Sequence, residues 1–234
     1  MSGHLNPTRV AIIEDHTLLA ESMEIALTME GHEVRRINLP TSARSPSVLL
    51  PPVLQWQPRV ALLDLDLGLV GNGMRLVEPL TQAGVAVVVV TGTIDDAIWG
   101  EALRFGARRV LPKDTPFNEI LATIRRITQG LAVTTPDERD ALLRAWHDER
   151  AETQQARERL ERLTRREAEV LAHLIEGHQV REVARIGVVS EATVRTQVKS
   201  ILAKLEVSSQ LAAVGIARQA GWHAPDVTSP RQHP

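Results

Sequence analysis

Five side chains in the first half of the chain have the types and spacing for phosphoryl chemistry: Glu14, Asp15, Asp64, Thr91 and Lys113. Each closes or closely trails a short apolar run. Three carboxylates gathered on one rim repel one another, and a bound divalent cation relieves that repulsion; oxygen-only ligands with room for water suit Mg²⁺. A metal so held neutralises charge on an incoming phosphoryl group while an aspartate attacks it in line. Thr91 can donate its hydroxyl to a phosphoryl oxygen, and Lys113 can pair with it as a point charge. Singly, an Asp after a strand is an ordinary turn residue or helix cap. The set is informative because consecutive strand ends each supply a group that one mechanism needs.

A second constellation lies near the C-terminus, in Ser190-Glu191-Ala192-Thr193-Val194-Arg195-Thr196-Gln197-Val198-Lys199. Ser190 is a cap for a helix in which Val194, Val198, Ile201 and Leu205 form one apolar stripe that must face a core. Arg195, Thr196 and Lys199 fall on other faces, with Arg195 and Lys199 stacked one turn apart. A helix pinned by such a stripe and offering Arg, Thr and Lys outward is how a helix-turn-helix enters a major groove, where Arg reads guanine edges. Charge alone would make this only a solvated face.

The elements that must position these groups are legible in the hydrophobic pattern. Residues 9–13, 59–63 and 85–90 are nearly all apolar and rich in β-branched side chains, as strands buried on both faces are. Val34 to Ile37 and Arg109 to Leu111 are weaker strand candidates. Helical patterns lie between them: Leu18 to Met29, Gly73 to Gln82, Ile94 to Phe105 and Phe117 to Thr128. The alternation predicts a doubly wound five-stranded parallel α/β sheet over residues 5–131, with a ligand site beyond the carboxyl ends of the strands. Leu39 to Pro58 carries five prolines, so any helix there must be short or broken, and the stretch is expected to be an irregular, mobile connection in place of a regular helix.

Residues 132–159 read as a charged helical linker. Its His147–Arg157 part lacks the sustained stripe of a dimerising coiled coil. Residues 160–222 read as a small all-α domain. Thr164 and Glu167 form a capping box, Gly177 ends the first helix, a second helix spans Val180 to Arg185, and Gly187 lies in the turn. Residues 223–234 read as a disordered tail.

The segments EDHTLLAESMEIAL, VALLDLDLG, VVVVTG and GARRVLPKD resemble, in order and spacing, the flavodoxin-like receiver domain of two-component response regulators. That resemblance implies Glu14 and Asp15 as metal ligands and Asp64 as metal ligand and phospho-acceptor. It implies the Asp66 backbone carbonyl as a further ligand, Thr91 as switch hydroxyl and Lys113 as phosphate contact. LTRREAEVL followed by SEATVRTQVKSILAKLEV resembles the DNA-binding domain of the NarL/LuxR class, which puts Arg195, Thr196 and Lys199 at DNA-facing positions. Together these imply a DNA-binding response regulator, not an enzyme. The expected partners are a sensor histidine kinase, a double-stranded DNA operator and a second copy of the chain.

Departures from the family pattern are Leu67-Gly68-Leu69 in place of Met-Pro-Gly after the acceptor, Val110 in place of an aromatic, and Gly187 where a Leu often packs. The first two motivate an alternative in which partner binding, rather than phosphorylation, throws the switch. Asp64-Leu65-Asp66, Thr91 and Lys113 also resemble the motif order of haloacid-dehalogenase phosphatases, with Asp66 as general acid. That family places its acidic pair after the lysine, whereas Glu14-Asp15 precedes it here. A lactone-sensing LuxR protein would carry an aromatic-rich pocket, and this chain has no Tyr and two Phe.

Composition bounds the rest. With no cysteine, disulfides and thiolate metal sites are excluded, which suits a reducing cytoplasm. No apolar run approaches the ~18 residues of a membrane span, and the N-terminal segment lacks the apolar core of a signal peptide, so no membrane association is expected. Residues 1–131 carry twelve basic against fourteen acidic side chains, and residues 160–222 nine against seven, a mild asymmetry toward nucleic acid in the second part. His16, His173 and His178 are linked by no metal-ligand spacing and read as structural or exposed.

Overall fold

The computed structural model describes residues 7–224. Five strands, β1 (Arg9–Ile13), β2 (Glu33–Arg36), β3 (Val60–Leu63), β4 (Ala86–Thr91) and β5 (Arg109–Pro112), pair in parallel in the order β2-β1-β3-β4-β5. Alternate residues of a strand point to opposite faces, and each face has its own core. Val10, Ile12, Val60, Leu62, Val88 and Val90 pack with α1 (Thr17–Met29) and α5 (Phe117–Thr128). Ala11, Ile13, Ala61, Leu63, Val87 and Val89 pack with α2 (Leu50–Trp56), α3 (Met74–Gln82) and α4 (Asp96–Arg104). Burial on both sides explains why these strands show no polar alternation. The strand order reverses between β1 and β3, where an open α/β sheet presents its ligand crevice.

The Pro-rich stretch departs from expectation. It forms a 3₁₀ turn, Pro46–Leu49, that runs into α2, and Leu49, Val53 and Trp56 are buried. Pro51 and Pro52 lie in the first turn of α2, where helix amides have no intrahelical partner to lose. The prolines shorten the helix without removing it.

The chain divides into two compact units at His147/Asp148, inside the long helix α6 (Pro136–Glu161). Within the first unit, Leu142 of α6 joins the core beside α4. The helices meet at Gly100, where an added Cβ would lie 2.1 Å from the Leu142 carbonyl oxygen and 2.9 Å from Trp146 Cβ. Only a glycine permits that approach. Within the second unit, Ala156 and Leu160 of α6 belong to the other core. The segment read as a solvated linker is thus structural at both ends.

The second unit continues with α7 (Arg165–Ile175), α8 (Val180–Ile186), α9 (Glu191–Leu205) and α10 (Gln210–Gln219). The capping box at Thr164/Glu167 is formed, and the Ser190 side chain accepts the Thr193 amide at the start of α9. In the α8–α9 turn, Gly187 keeps an ordinary right-handed conformation (φ −77) and Val188 takes the left-handed one (φ 51). A β-branched residue there is strained by about 1–2 kcal/mol. Glycine and turn are therefore one residue out of step. Of the expected disordered tail, residues 225–234 lie outside the described residues. Among the described residues no single helix is long and apolar enough to cross a membrane.

Candidate functional site

Parallel register builds the acidic rim. Ile13 pairs with Leu63, and the Asp64 amide donates to the Ile13 carbonyl at 2.9 Å, so Glu14 and Asp64 leave adjacent strand ends side by side. On the far side of β4, Thr91 pairs with Pro112, and the Lys113 amide donates to the Thr91 carbonyl at 2.9 Å. Gly73 lets the returning loop close under the rim: a Cβ there would lie 2.1 Å from the Asp64 carbonyl oxygen.

One ligand atom from each of Glu14, Asp15, His16 and Asp64 lies within 4.8 Å of the others. Two carboxylates at that separation repel by about 3–4 kcal/mol at an effective dielectric of ~20. Lys113 offsets part of this. Its Nζ donates to Asp64 Oδ2 at 2.6 Å and to Glu14 Oε1 at 2.8 Å. The Asp64 and Glu14 side chains are 1% exposed, and that of Asp15 is 29% exposed.

Burial pushes the Glu14 carboxyl above its ordinary range, with the Asp64 charge adding, against the lowering from the Lys113 and His16 hydrogen bonds. Burial pulls the Lys113 ammonium down, and its hydrogen bonds to Asp64 and Glu14 more than reverse this, leaving it raised. Neutralisation is nevertheless incomplete, because Glu14 Oε2 is buried with no hydrogen-bond partner.

Thr91 is buried at the end of β4, and its hydroxyl accepts the Thr93 amide at 3.2 Å rather than touching the carboxylates. The Asp66 amide donates to Asp64 Oδ1 at 3.2 Å, and Asp66 bridges Asn72 across the loop. No donor among the described residues reaches the Asp66 carbonyl. The loop after Asp64 turns through Gly68 (φ 57) and forms a 3₁₀ turn, Gly68–Val70, with Leu67 and Val70 buried and Leu69 exposed. A Cβ at Gly68 would come 3.1 Å from Asp15 Oδ2. A cleft of about 860 Å³ opens beside the rim between this loop and residues Arg36 to Thr41. Val110 is buried in the core.

In the second unit, Val194, Val198, Ile201 and Leu205 are buried, and Arg195, Thr196 and Lys199 are exposed. Among the described residues Arg195 pairs with Glu191, at 3.4 Å on its own helix, an exposed contact worth less than about 1 kcal/mol. The Thr196 hydroxyl donates to the Ala192 carbonyl at 3.0 Å. The outward face is therefore available at small cost.

What holds α9 against α7 is a buried hub at Glu167. Its Oε2 accepts from the Thr164 amide (2.6 Å), the Thr164 hydroxyl (2.8 Å) and Lys204 Nζ (2.7 Å), and its Oε1 accepts from the Ser200 hydroxyl (2.6 Å). Burial alone would raise this carboxyl. The hydrogen bonds from Lys204, Ser200 and Thr164 hold it down to about 2.

Comparison with known proteins decides the family. The model of the response regulator receiver domain matches residues 10–125, and that of the luxR family of bacterial regulatory proteins matches residues 161–217. The chain is a response regulator with a LuxR-family DNA-binding domain. This response regulator is 26% identical over 230 residues to the transcriptional regulatory protein DegU of Brevibacillus brevis, over 93% of this chain and 95% of that one. It is 28% identical over 209 residues to the nitrate/nitrite response regulator protein homolog of Haemophilus influenzae, over 88% and 93%. Among solved structures, RcsB from Salmonella enterica serovar Typhimurium bound to a promoter aligns at a TM-score of 0.48 and 20% identity, over 92% of this chain and 99% of that one.

Of the histidine readings in this response regulator, that of His16 holds and that of His173 and His178 needs correction. The His16 ring is 65% exposed, as expected, and its Nδ1 lies 2.8 Å from Asp15 Oδ1, 3.1 Å from Glu14 Oε1 and 3.1 Å from Lys113 Nζ. The hydrogen bond to Glu14 raises its pKa against the opposing charge of Lys113. Its place directly after the acidic pair was the available signal. His173 and His178 converge on Glu176, because Gly177 (φ 89) turns the chain back at the end of α7; spacing along a helix does not capture such a reversal.

Proposed function

We propose that this response regulator is a phosphorylation-gated transcription factor of the cytoplasm. Residues 5–131 serve as receiver, 132–159 as connecting helix and 160–222 as DNA-binding domain. Asp64 accepts a phosphoryl group from the phosphohistidine of a sensor kinase: a carboxylate oxygen forms the new bond to phosphorus as the bond to the imidazole nitrogen breaks. Glu14, Asp15, Asp64 and the Asp66 carbonyl would hold Mg²⁺, which supplies charge neutralisation for the incoming group. The buried, unpartnered Glu14 Oε2 and the three carboxylates gathered beside it fit such a hard cation. The carrying observation is Lys113, whose Nζ bridges Asp64 and Glu14 and so stands beside the oxygen that would be modified.

Once phosphate is on Asp64, Lys113 pairs with a phosphoryl oxygen. Thr91 gives up the Thr93 amide to donate its hydroxyl to another. That rearrangement biases a two-state equilibrium toward a homodimer that binds a double-stranded operator. Arg195, Thr196 and Lys199 meet the groove.

The test is labelling with acetyl phosphate in Mg²⁺: the wild type is modified, and Asp64→Asn loses the signal entirely. Undiminished labelling of the variant removes Asp64 as acceptor. On the same preparations Lys199→Ala weakens operator binding about 5- to 150-fold, as loss of a base or phosphate contact of about 1–3 kcal/mol does, while labelling is unchanged. The partner-switched alternative draws support from the aliphatic Val110 and the Gly68 turn. It predicts that fluoroberyllate with Mg²⁺ leaves operator affinity unmoved, whereas the phosphorylation reading predicts tighter binding.

A further inference from the structure

We propose that His173, Glu176 and His178 form a site for a divalent transition-metal ion of the Zn²⁺ class at the turn between α7 and α8. Glu176 Oε2 lies 3.4 Å from His173 Nδ1 and 3.3 Å from His178 Nδ1. One ligand atom from each residue is within 4.8 Å of the other two. A tetrahedral site with metal–nitrogen and metal–oxygen bonds of about 2.0–2.1 Å has edges of about 3.3–3.4 Å. The two nitrogen–oxygen separations match those edges. They are long for hydrogen bonds between an imidazole and a carboxylate, which settle at about 2.7–2.9 Å when charge-assisted.

A second observation points to a ligand. His178 Nδ1 is closed off from water and has no hydrogen-bond partner of acceptable geometry. An ordinary histidine–glutamate contact would satisfy that nitrogen; a metal would use its lone pair. The two rings meet edge to face, with centroids 5.4 Å apart and planes at 65°, so neither stacks over the other.

The backbone holds the group in place before any ion arrives. Gly177 takes a left-handed conformation (φ 89), and the His178 amide donates to the His173 carbonyl at 3.0 Å, which fixes the reversal between the two ligands. Two imidazoles and one carboxylate, with a fourth position open to water, are a Zn²⁺ donor set. Mg²⁺, which demands near-octahedral oxygen ligation, does not compete for it. An ion here would tie the last turn of α7 to the entry of α8 and so stiffen the helix-turn-helix.

The experiment uses the full chain, stripped with chelator and then held in excess Mg²⁺ so that the acidic rim is supplied with its hard cation. Co²⁺ serves as the spectroscopic probe. The wild type is expected to take up one equivalent per chain with the intensified visible absorption of low-coordinate Co²⁺, and one equivalent of Zn²⁺ abolishes it. His173→Ala/His178→Ala loses the band. Glu176→Gln, at a side chain 61% exposed and so free of folding consequences, weakens Co²⁺ binding by more than the about 10–100-fold that even outer-sphere partners contribute. Circular dichroism of the metal-free variants checks that they fold. A wild type that shows no intensified band overturns the site. So does a band that survives the double histidine variant, since that assigns the ion to the rim, or one unmoved by Glu176→Gln.

Discussion

Two buried glutamates in this chain each have a lysine ammonium within 2.7–2.8 Å, Glu14 with Lys113 and Glu167 with Lys204, and they do opposite things with it. At Glu167 the pair is closed. Four donors engage both oxygens, and the group stays ionised down to about 2. At Glu14 the pair is open. One oxygen is orphaned, Asp15 and Asp64 crowd the same space, and burial pushes the carboxyl up. A buried ion pair contributes architecture when every lone pair is answered. Left unanswered beside more negative charge, the same pair becomes a place where a cation and an anionic group can be received.

That contrast can be broken at either end. The largest effect is expected from Glu167→Ala, which leaves Lys204 without its partner and cuts the tie from α7 to α9. Breaking a buried pair costs about 3–5 kcal/mol, read as lost hydrogen-exchange protection in α7 and α9 with the β-sheet amides unaffected. A loss under about 1 kcal/mol would show that the hub is incidental.

Acid should act on the same helices. Because the folded state depresses the Glu167 pKa from 4.5 to about 2, its contribution is fully present above 4.5 and fades as pH falls toward 2. The full shift corresponds to about 3 kcal/mol. Protection in α7 and α9 that stays flat across that window would contradict the assignment.

The smallest effect belongs to Glu14→Gln. Removing one charge from the crowd should leave the metal-free first unit as stable as before, or more stable by about 1 kcal/mol. If Glu14 is a ligand, the variant should also lack the rise in thermal midpoint expected when Mg²⁺ is added to the wild type. If Mg²⁺ stabilises the variant as well as the wild type, Glu14 is not a ligand.

Much of this was legible in the chain itself, for reasons that differ by residue. Runs such as Val85 to Val90 can be nothing but buried strands, and once they pair in parallel their ends carry Glu14, Asp64 and Thr91 to one edge. The stripe Val194, Val198, Ile201, Leu205 likewise dictates which way α9 faces. What resisted reading was whatever depends on a side chain's direction or on the path of a turn. Ser200 and Lys204 look like solvent-facing residues of a helix until α7 is packed against them. His16 looks like a loop residue until its ring swings over the rim. Pro51 and Pro52 signal disruption wherever they stand, yet in a first helical turn they shorten the helix without removing it. Gly187 invites the left-handed step that the backbone takes at Val188 instead.

The contact at Gly100 makes one letter of the sequence diagnostic of how α6 is seated. Any side chain there would intrude on the Leu142 carbonyl by about an ångström. A homologue with glycine at the equivalent position can keep the following helix in this berth. One with alanine or anything larger must lift it away or route it elsewhere, so the family can be sorted by a single codon into chains that share this mooring and chains that have given it up.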